Sequence, residues 1–172
     1  MIRSFKGIEP LIGNNSYVDE SAVVIGDVEI GENSSIWPMT VIRGDVNQIR
    51  IGHRTNIQDG GVLHVSHQGP YNPKGAALHI GDGVTVAHKV LLHGCQIGNQ
   101  CLIGMGSTVM DNAVVEDRVM VGAGSLVTPG KVLESGHLYL GNPIRRHRKL
   151  SEQETEMLEY LSAHYIKLKN EY

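Results

Sequence analysis

Residues 97–127 read IGNQCLIGMGSTVMDNAVVEDRVMVGAGSLV, and every sixth residue from Ile97 onward is Ile or Val. Followed in both directions, this grid collects Ile12, Val18, Val24, Ile30, Ile36, Ile42, Ile51, Ile57, Leu63, Ile80, Val86, Leu92, Ile97, Ile103, Val109, Val115, Val121 and Val127. Ile, Leu and Val make up only 47 of the 172 residues, so eighteen such positions in register do not follow from composition. Small or β-branched residues recur four places later, at Ser16, Ser34, Thr40, Thr55, Cys101, Ser107 and Ser125. A six-residue period of this kind is the signature of a parallel β-helix.

A period of eighteen lies inside the period of six. Ile12-Gly13, Ile30-Gly31, Ile51-Gly52, Ile80-Gly81 and Ile97-Gly98 open every third hexad. A glycine at one point of each coil suits a corner that needs an unusual backbone angle or a close approach. The expected architecture is all-β, a triangular prism of about six coils with three short strands each. Three breaks interrupt it: extra residues around Gln48-Ile49-Arg50, an excursion near residues 66–79 with turn signals at Gly69-Pro70 and Asn72-Pro73, and one residue missing between Leu92 and Ile97. The β-helix is assigned to residues 1–140. Residues 141–172 are read as a turn, Gly141-Asn142-Pro143, and a C-terminal α-helix packing on the prism or on a neighbouring subunit. Ser151 with Glu154 makes a capping-box pattern, and Met157, Leu161, Tyr165 and Leu168 give an apolar stripe.

The bulk numbers exclude more than they propose. A net charge of −3 gives no electrostatic argument for nucleic acid or a membrane. The first residues lack the apolar stretch of a signal peptide, and no segment has the length and hydropathy of a membrane span. Cys95 and Cys101 are not spaced as a metal pair and are read as reduced structural thiols, so the expected compartment is the cytoplasm.

The grid sorts distant residues into columns. Arg43, His64 and His93 each follow a position on one face (Ile42, Leu63, Leu92), which puts them in one outward column on successive coils. Asp59 and His88 each lie two places after a position on the preceding face (Ile57, Val86). His64 and His93 are then about one strand spacing apart, 4.7–4.9 Å, close enough for two imidazoles to share a cation. His88 belongs to a different face, so it reaches that pair only from another copy packed face to face in a ring. An outward histidine is more often plain surface, and an Arg–Asp neighbour more often a structural ion pair. Metal-free readings of both columns therefore stay open on periodicity alone. His53, His67, His79, His137, His147 and His164 have no column partner and are read as mostly solvated.

At these residues the chain resembles the γ-class carbonic anhydrase-like proteins of the hexapeptide-repeat superfamily. The resemblance rests on Arg43-Gly44-Asp45, Thr55-Asn56-Ile57-Gln58-Asp59, His64 and the run from His88 to Cys95, with Ile103-Gly104-Met105-Gly106, Gly122-Ala123-Gly124-Ser125 and Tyr139-Leu140-Gly141-Asn142-Pro143 further on. It implies a left-handed β-helix, a homotrimer, and a metal between subunits held by His64, His88 and His93, with His88 crossing the interface. The cofactor implied is zinc, with iron or cobalt as possible occupants of three imidazoles. Gln58 is expected to orient the metal-bound water or bicarbonate, Arg43 and Asp59 to pair between chains, Asp45 to support them, and Tyr139 to reach the site from the C-terminal segment. The implied reaction is reversible hydration of carbon dioxide by a metal-bound hydroxide.

The chain departs from the best-known active members, which carry glutamates beside the site and in an acidic loop. Here Val46 follows Asp45, and residues 65–79 contain no Asp or Glu. Weak or conditional turnover is therefore expected, with His67 a loop residue suited to passing a proton near neutral pH. Two other functions are expected to compete: acyl-CoA thioesterase or acyltransferase chemistry, as in other members of the superfamily, and a non-enzymatic metal-stabilised trimer.

Overall fold

The computed structural model describes residues 1–172 and is a parallel β-helix closed by one α-helix. Strands of two or three residues stack coil on coil. Asn56–Ile57, for example, pairs in parallel with Ser35–Ile36 below and Thr85–Val86 above. That face holds eight strands, seven of them parallel, with the antiparallel Arg145–Lys149 as its last. The stack is therefore longer than the six or so coils expected. Ile2–Arg3 lengthens it at one end, and Val132–Leu133 and His137–Leu140 at the other. Every grid residue points inward, although Ile12 and Val18, near the open N-terminal end, are only half-buried. The others join a single core of 30 buried residues, almost all aliphatic.

Two details explain the repeat chemically. Hydroxyls at the fourth position after a grid residue donate to the corner glycine of the next coil: Ser16 to Gly31, Ser34 to Gly52 and Thr55 to Gly81, at 2.7–2.8 Å. Each satisfies a carbonyl that would otherwise be poorly solvated. The corner glycines are there for close approach, not for an unusual angle. None of Gly13, Gly31, Gly52, Gly81 or Gly98 has positive φ, but a Cβ on Gly31 would lie 2.5 Å from the carbonyl carbon of Gly52.

The first break falls earlier than the sequence suggests. Strand Val41–Ile51 pairs Gly44 with Gly26 and Ile49 with Val28, so the three extra residues lie within 45–48. The excursion leaves the prism after Val65 and returns through a Ser66–Ala76 bridge, closed by backbone hydrogen bonds of 3.0 Å in both directions.

Helix α1 spans Glu152–Lys169 and begins with the expected capping box of Ser151 and Glu154. It lies along the face that carries Ser35–Ile36 and Thr85–Val86. The face it buries overlaps the apolar stripe only in part: Leu161, Tyr165 and Leu168 are half-buried. Leu158, Ser162 and Lys169 are buried, whereas Met157 is exposed. Ser162 Oγ donates to Arg54 O at 2.6 Å, and Trp37 packs against Tyr17, Tyr165 and Tyr172 with ring centroids 5.2–5.5 Å apart. A hydrogen bond and an aromatic cluster thus set the helix's rotation. Strand Arg145–Lys149, absent from the sequence reading, precedes it with all five residues exposed. No helix is long and apolar enough to cross a membrane.

Candidate metal centre

Strands Val62–His64 and Leu91–His93 pair in register, and the pairing sets His64 directly opposite His93. Their ring centroids are 5.1 Å apart, and His64 Nδ1 lies 3.1 Å from His93 Nε2. Two imidazole nitrogens on one tetrahedral zinc, each at 2.0–2.1 Å, stand about 3.3–3.4 Å apart. The observed separation is close to that, and it also suits an N–H···N hydrogen bond in metal-free protein.

The remaining nitrogen of each ring is held by a carboxylate. His64 Nε2 is 3.0 Å from Asp45 Oδ1, and Asp45 is in turn clamped by Arg43. Asp45 lies in the 45–48 stretch where the ladder register shifts. His93 Nδ1 bonds Asp111 Oδ1, and Ser66 Oγ donates to the other oxygen of Asp111 at 2.6 Å. His88 Nδ1 is 3.0 Å from Asp59 Oδ2. A carboxylate on one imidazole nitrogen fixes the tautomer and leaves the other nitrogen's lone pair for a metal. The donor chemistry therefore fits a borderline-soft divalent ion.

Electrostatics favour the binding form of His64. Burial pushes its pKa below the ordinary value, outweighing the upward pull of the Asp45 hydrogen bond. A neutral imidazole is what a metal requires. Asp45 stays ionised: burial alone would raise its pKa, but the hydrogen bonds from His64 and Arg43 carry it below the usual carboxylate range.

One chain brings together His64, His93, Arg43 and Asp45, and separately His88 with Asp59. No cluster of three His, Cys, Asp or Glu side chains that could hold a metal forms within the chain. Arg43 pairs with Asp45 here, not with Asp59. Gln58 is buried on the His88 face and donates to Asn56 Oδ1 at 3.0 Å. Tyr139 is placed away from both groups. It fills an inward grid position in the core, and its hydroxyl accepts from Glu134 N at 2.7 Å. The chain by itself thus gives Tyr139 no path to the histidines. His67 is exposed on the loop, while His53 is tied into a corner ladder by accepting from Glu32 N at 3.0 Å. Asp111 and Ser66 were not singled out from the sequence. The available signal was a carboxylate two places after Val109, on the coil next to His93. Tyr165 is a further neighbour of the second pair: burial raises its pKa, and the charge of Asp59 adds to the rise.

The fold and the paired columns define a hexapeptide-repeat β-helix with a candidate metal site, and comparison with known proteins narrows the class. The family model "Bacterial transferase hexapeptide (six repeats)" matches residues 9–44 and 94–129. Protein YrdA of Escherichia coli is 54% identical over 172 residues, covering 100% of this chain and 94% of that protein. A carbonic anhydrase of Geobacillus kaustophilus is 43% identical over 166 residues, 96% of this chain and 87% of its own length. A solved Bacillus cereus structure, described as a putative acetyltransferase, superposes with a TM-score of 0.93 at 38% identity, covering 100% of this chain and 96% of that one. The chain belongs to the γ-carbonic-anhydrase-like family of hexapeptide-repeat proteins.

Proposed function

We propose that this protein is a homotrimeric γ-carbonic-anhydrase-like metalloenzyme with a divalent ion, zinc or iron, at each subunit interface. The observation that carries the reading is the 3.1 Å His64–His93 pair, each ring backed by its own carboxylate. His64 and His93 hold the ion from one protomer. His88, exposed and oriented by Asp59, supplies the third imidazole to a neighbour. A bound zinc lowers the pKa of a coordinated water to about 7, which provides a nucleophile for carbon dioxide near neutrality.

The chain's own residues do the rest. Asp45 and Arg43 fix the tautomer of His64. Arg43, half-exposed, turns to Asp59 of the adjoining chain on assembly. Gln58, beside Asp59, orients the reacting water or bicarbonate. Without acidic residues in the loop, proton export falls to His67 or to buffer, so turnover is weak or buffer-dependent. Stopped-flow carbon dioxide hydration on zinc- and iron-loaded trimers tests this; no rate above buffer at full metal occupancy rejects it.

The putative acetyltransferase among the solved structures favours one alternative, acyl transfer from or hydrolysis of an acyl-CoA. A thioester-cleavage screen separates the two, because carbonic anhydrase activity predicts no dependence on acyl chain. A metal-stabilised trimer without catalysis predicts neither rate.

A further inference from the structure

Three chain segments converge behind His93: the base of the loop excursion at Ser66, the strand Leu91–His93, and the turn that carries Asp111. We propose that Asp111 is a positioning residue for His93, held by Ser66, and that through this contact the base of the loop sets the affinity of the metal site. The proposal rests on the metal-site reading above and extends it to residues that reading does not use.

The hydrogen bonds around Asp111 differ from those of other turn aspartates. Asp82 and Asp117 accept backbone N–H groups of the adjacent coil, from His53 at 2.8 Å and from Asn99 at 2.6 Å. They are ladder residues of the prism. Asp111 accepts no backbone group through its side chain. One oxygen takes His93 Nδ1 and the other takes the Ser66 hydroxyl at 2.6 Å. Its carboxylate therefore serves an imidazole, not the coil.

The local backbone is cleared for this contact. Gly94 has φ +53°, and a Cβ there would lie 2.6 Å from Ala76 Cβ and 2.8 Å from Asp111 Oδ1. Only glycine at that position lets the returning loop and the carboxylate both approach His93. Asn47 adds a tether from the other side, its Nδ2 donating to Ser66 O at 3.1 Å. Ser66 is thus fixed by Asn47 and by its bridge to Ala76 before it reaches Asp111. Fixing His93 in the Nδ1–H tautomer leaves Nε2, the atom facing His64, as the metal donor.

The test uses the full-length protein, stripped of metal and titrated with zinc against a chromophoric chelator. Second-sphere carboxylates of ligating histidines typically contribute 10–100-fold in affinity. Asp111→Asn is expected to weaken zinc binding by about that factor, and Ser66→Ala by a smaller one. The double variant should bind no more weakly than Asp111→Asn alone, because Ser66 acts through Asp111. With cobalt(II) bound, Asp111→Asn should also shift the visible absorption bands, which a loss of general stability would not do. Asp117→Asn is the control and should leave affinity and spectrum unchanged. Asp111→Asn binding zinc as tightly as the parent, or an equal loss in Asp117→Asn, overturns the proposal. Should Asp111→Asn fail to fold, Ser66→Ala decides: unchanged affinity in that variant also overturns it. A parent protein that binds no metal would instead sink the metal-site reading itself.

Discussion

His93→Ala and His88→Ala should each abolish tight metal binding alone and partly restore it together. Within one protomer a corner of the prism separates the His64–His93 pair from the His88–Asp59 pair, and no three-ligand cluster forms. In a threefold ring every site then draws two imidazoles from one chain and one from the next. When the two variants are refolded in equal amounts, a site is whole only if its pair comes from the His88→Ala chain and its single imidazole from the His93→Ala chain. Each condition holds for half the subunits, so about one quarter of sites should recover under random reassembly of a cyclic trimer. The measurement is zinc retained per protomer after dialysis against a moderate chelator, with native mass spectrometry to establish that mixed trimers formed. Mixed trimers that retain no more zinc than the separate variants would refute the shared site. So would either variant alone keeping one zinc per chain.

Three further outcomes follow from the geometry. Gly31→Ala puts a carbon 2.5 Å from Gly52 C, and relieving it stretches the 2.8 Å bonds Gly31 N→Ile51 O and Gly52 N→Ile80 O. Overpacking and weakened hydrogen bonds together should cost about 2–5 kcal/mol in urea unfolding. Gly130→Ala, with nothing within 4 Å but φ +67°, should cost only about 1–2 kcal/mol; equal losses would contradict the close-approach argument. Because burial lowers the pKa of His64, the unfolded chain binds the proton more readily than the folded one. Stability from this group is present above the ordinary histidine value and is lost as pH falls through the lowered one. The metal-free protein should therefore melt at lower temperature as pH is taken below about 6.5, and His64→Gln should flatten that slope. Ser151→Ala removes the N-cap acceptor of α1 and should cost about 1 kcal/mol, seen as a melting temperature a few degrees lower.

Most of the scaffold was legible because its repeat is enforced by backbone stacking. Once Leu63 and Leu92 are inward on neighbouring coils, His64 and His93 must be adjacent, and they are. The same logic joined Asp59 to His88. What escaped the sequence lies where side chains reach across coils or the repeat ends. Asp45 meets His64 within the 45–48 stretch where the register shifts, whereas the hexad count centred the extra residues on 48–50. Asp111 sits one position out of line with His93, so a column search passes over it. The apolar stripe of helix α1 is only partly the packed face, Leu161, Tyr165 and Leu168 being half-buried, because the face against the prism also includes Ser162 and Lys169, polar residues held by hydrogen bonds to Arg54 O and Asn170 Oδ1 that no hydrophobic period reports. Tyr139 was expected at the site, although it stands eighteen residues after Val121 and so belongs to the inward grid.

The final strand, Arg145–Lys149, also bears on how such a molecule stays finite. Stacked parallel rungs leave open N–H and C=O groups at each terminus, an invitation for another chain to add on and for growth into fibres. Here the last rung runs backwards and presents Arg, Arg, His, Arg and Lys to solvent. A like-charged newcomer would meet repulsion on this face before its backbone could engage, so the sequence of one short strand opposes growth along the sheet that it ends.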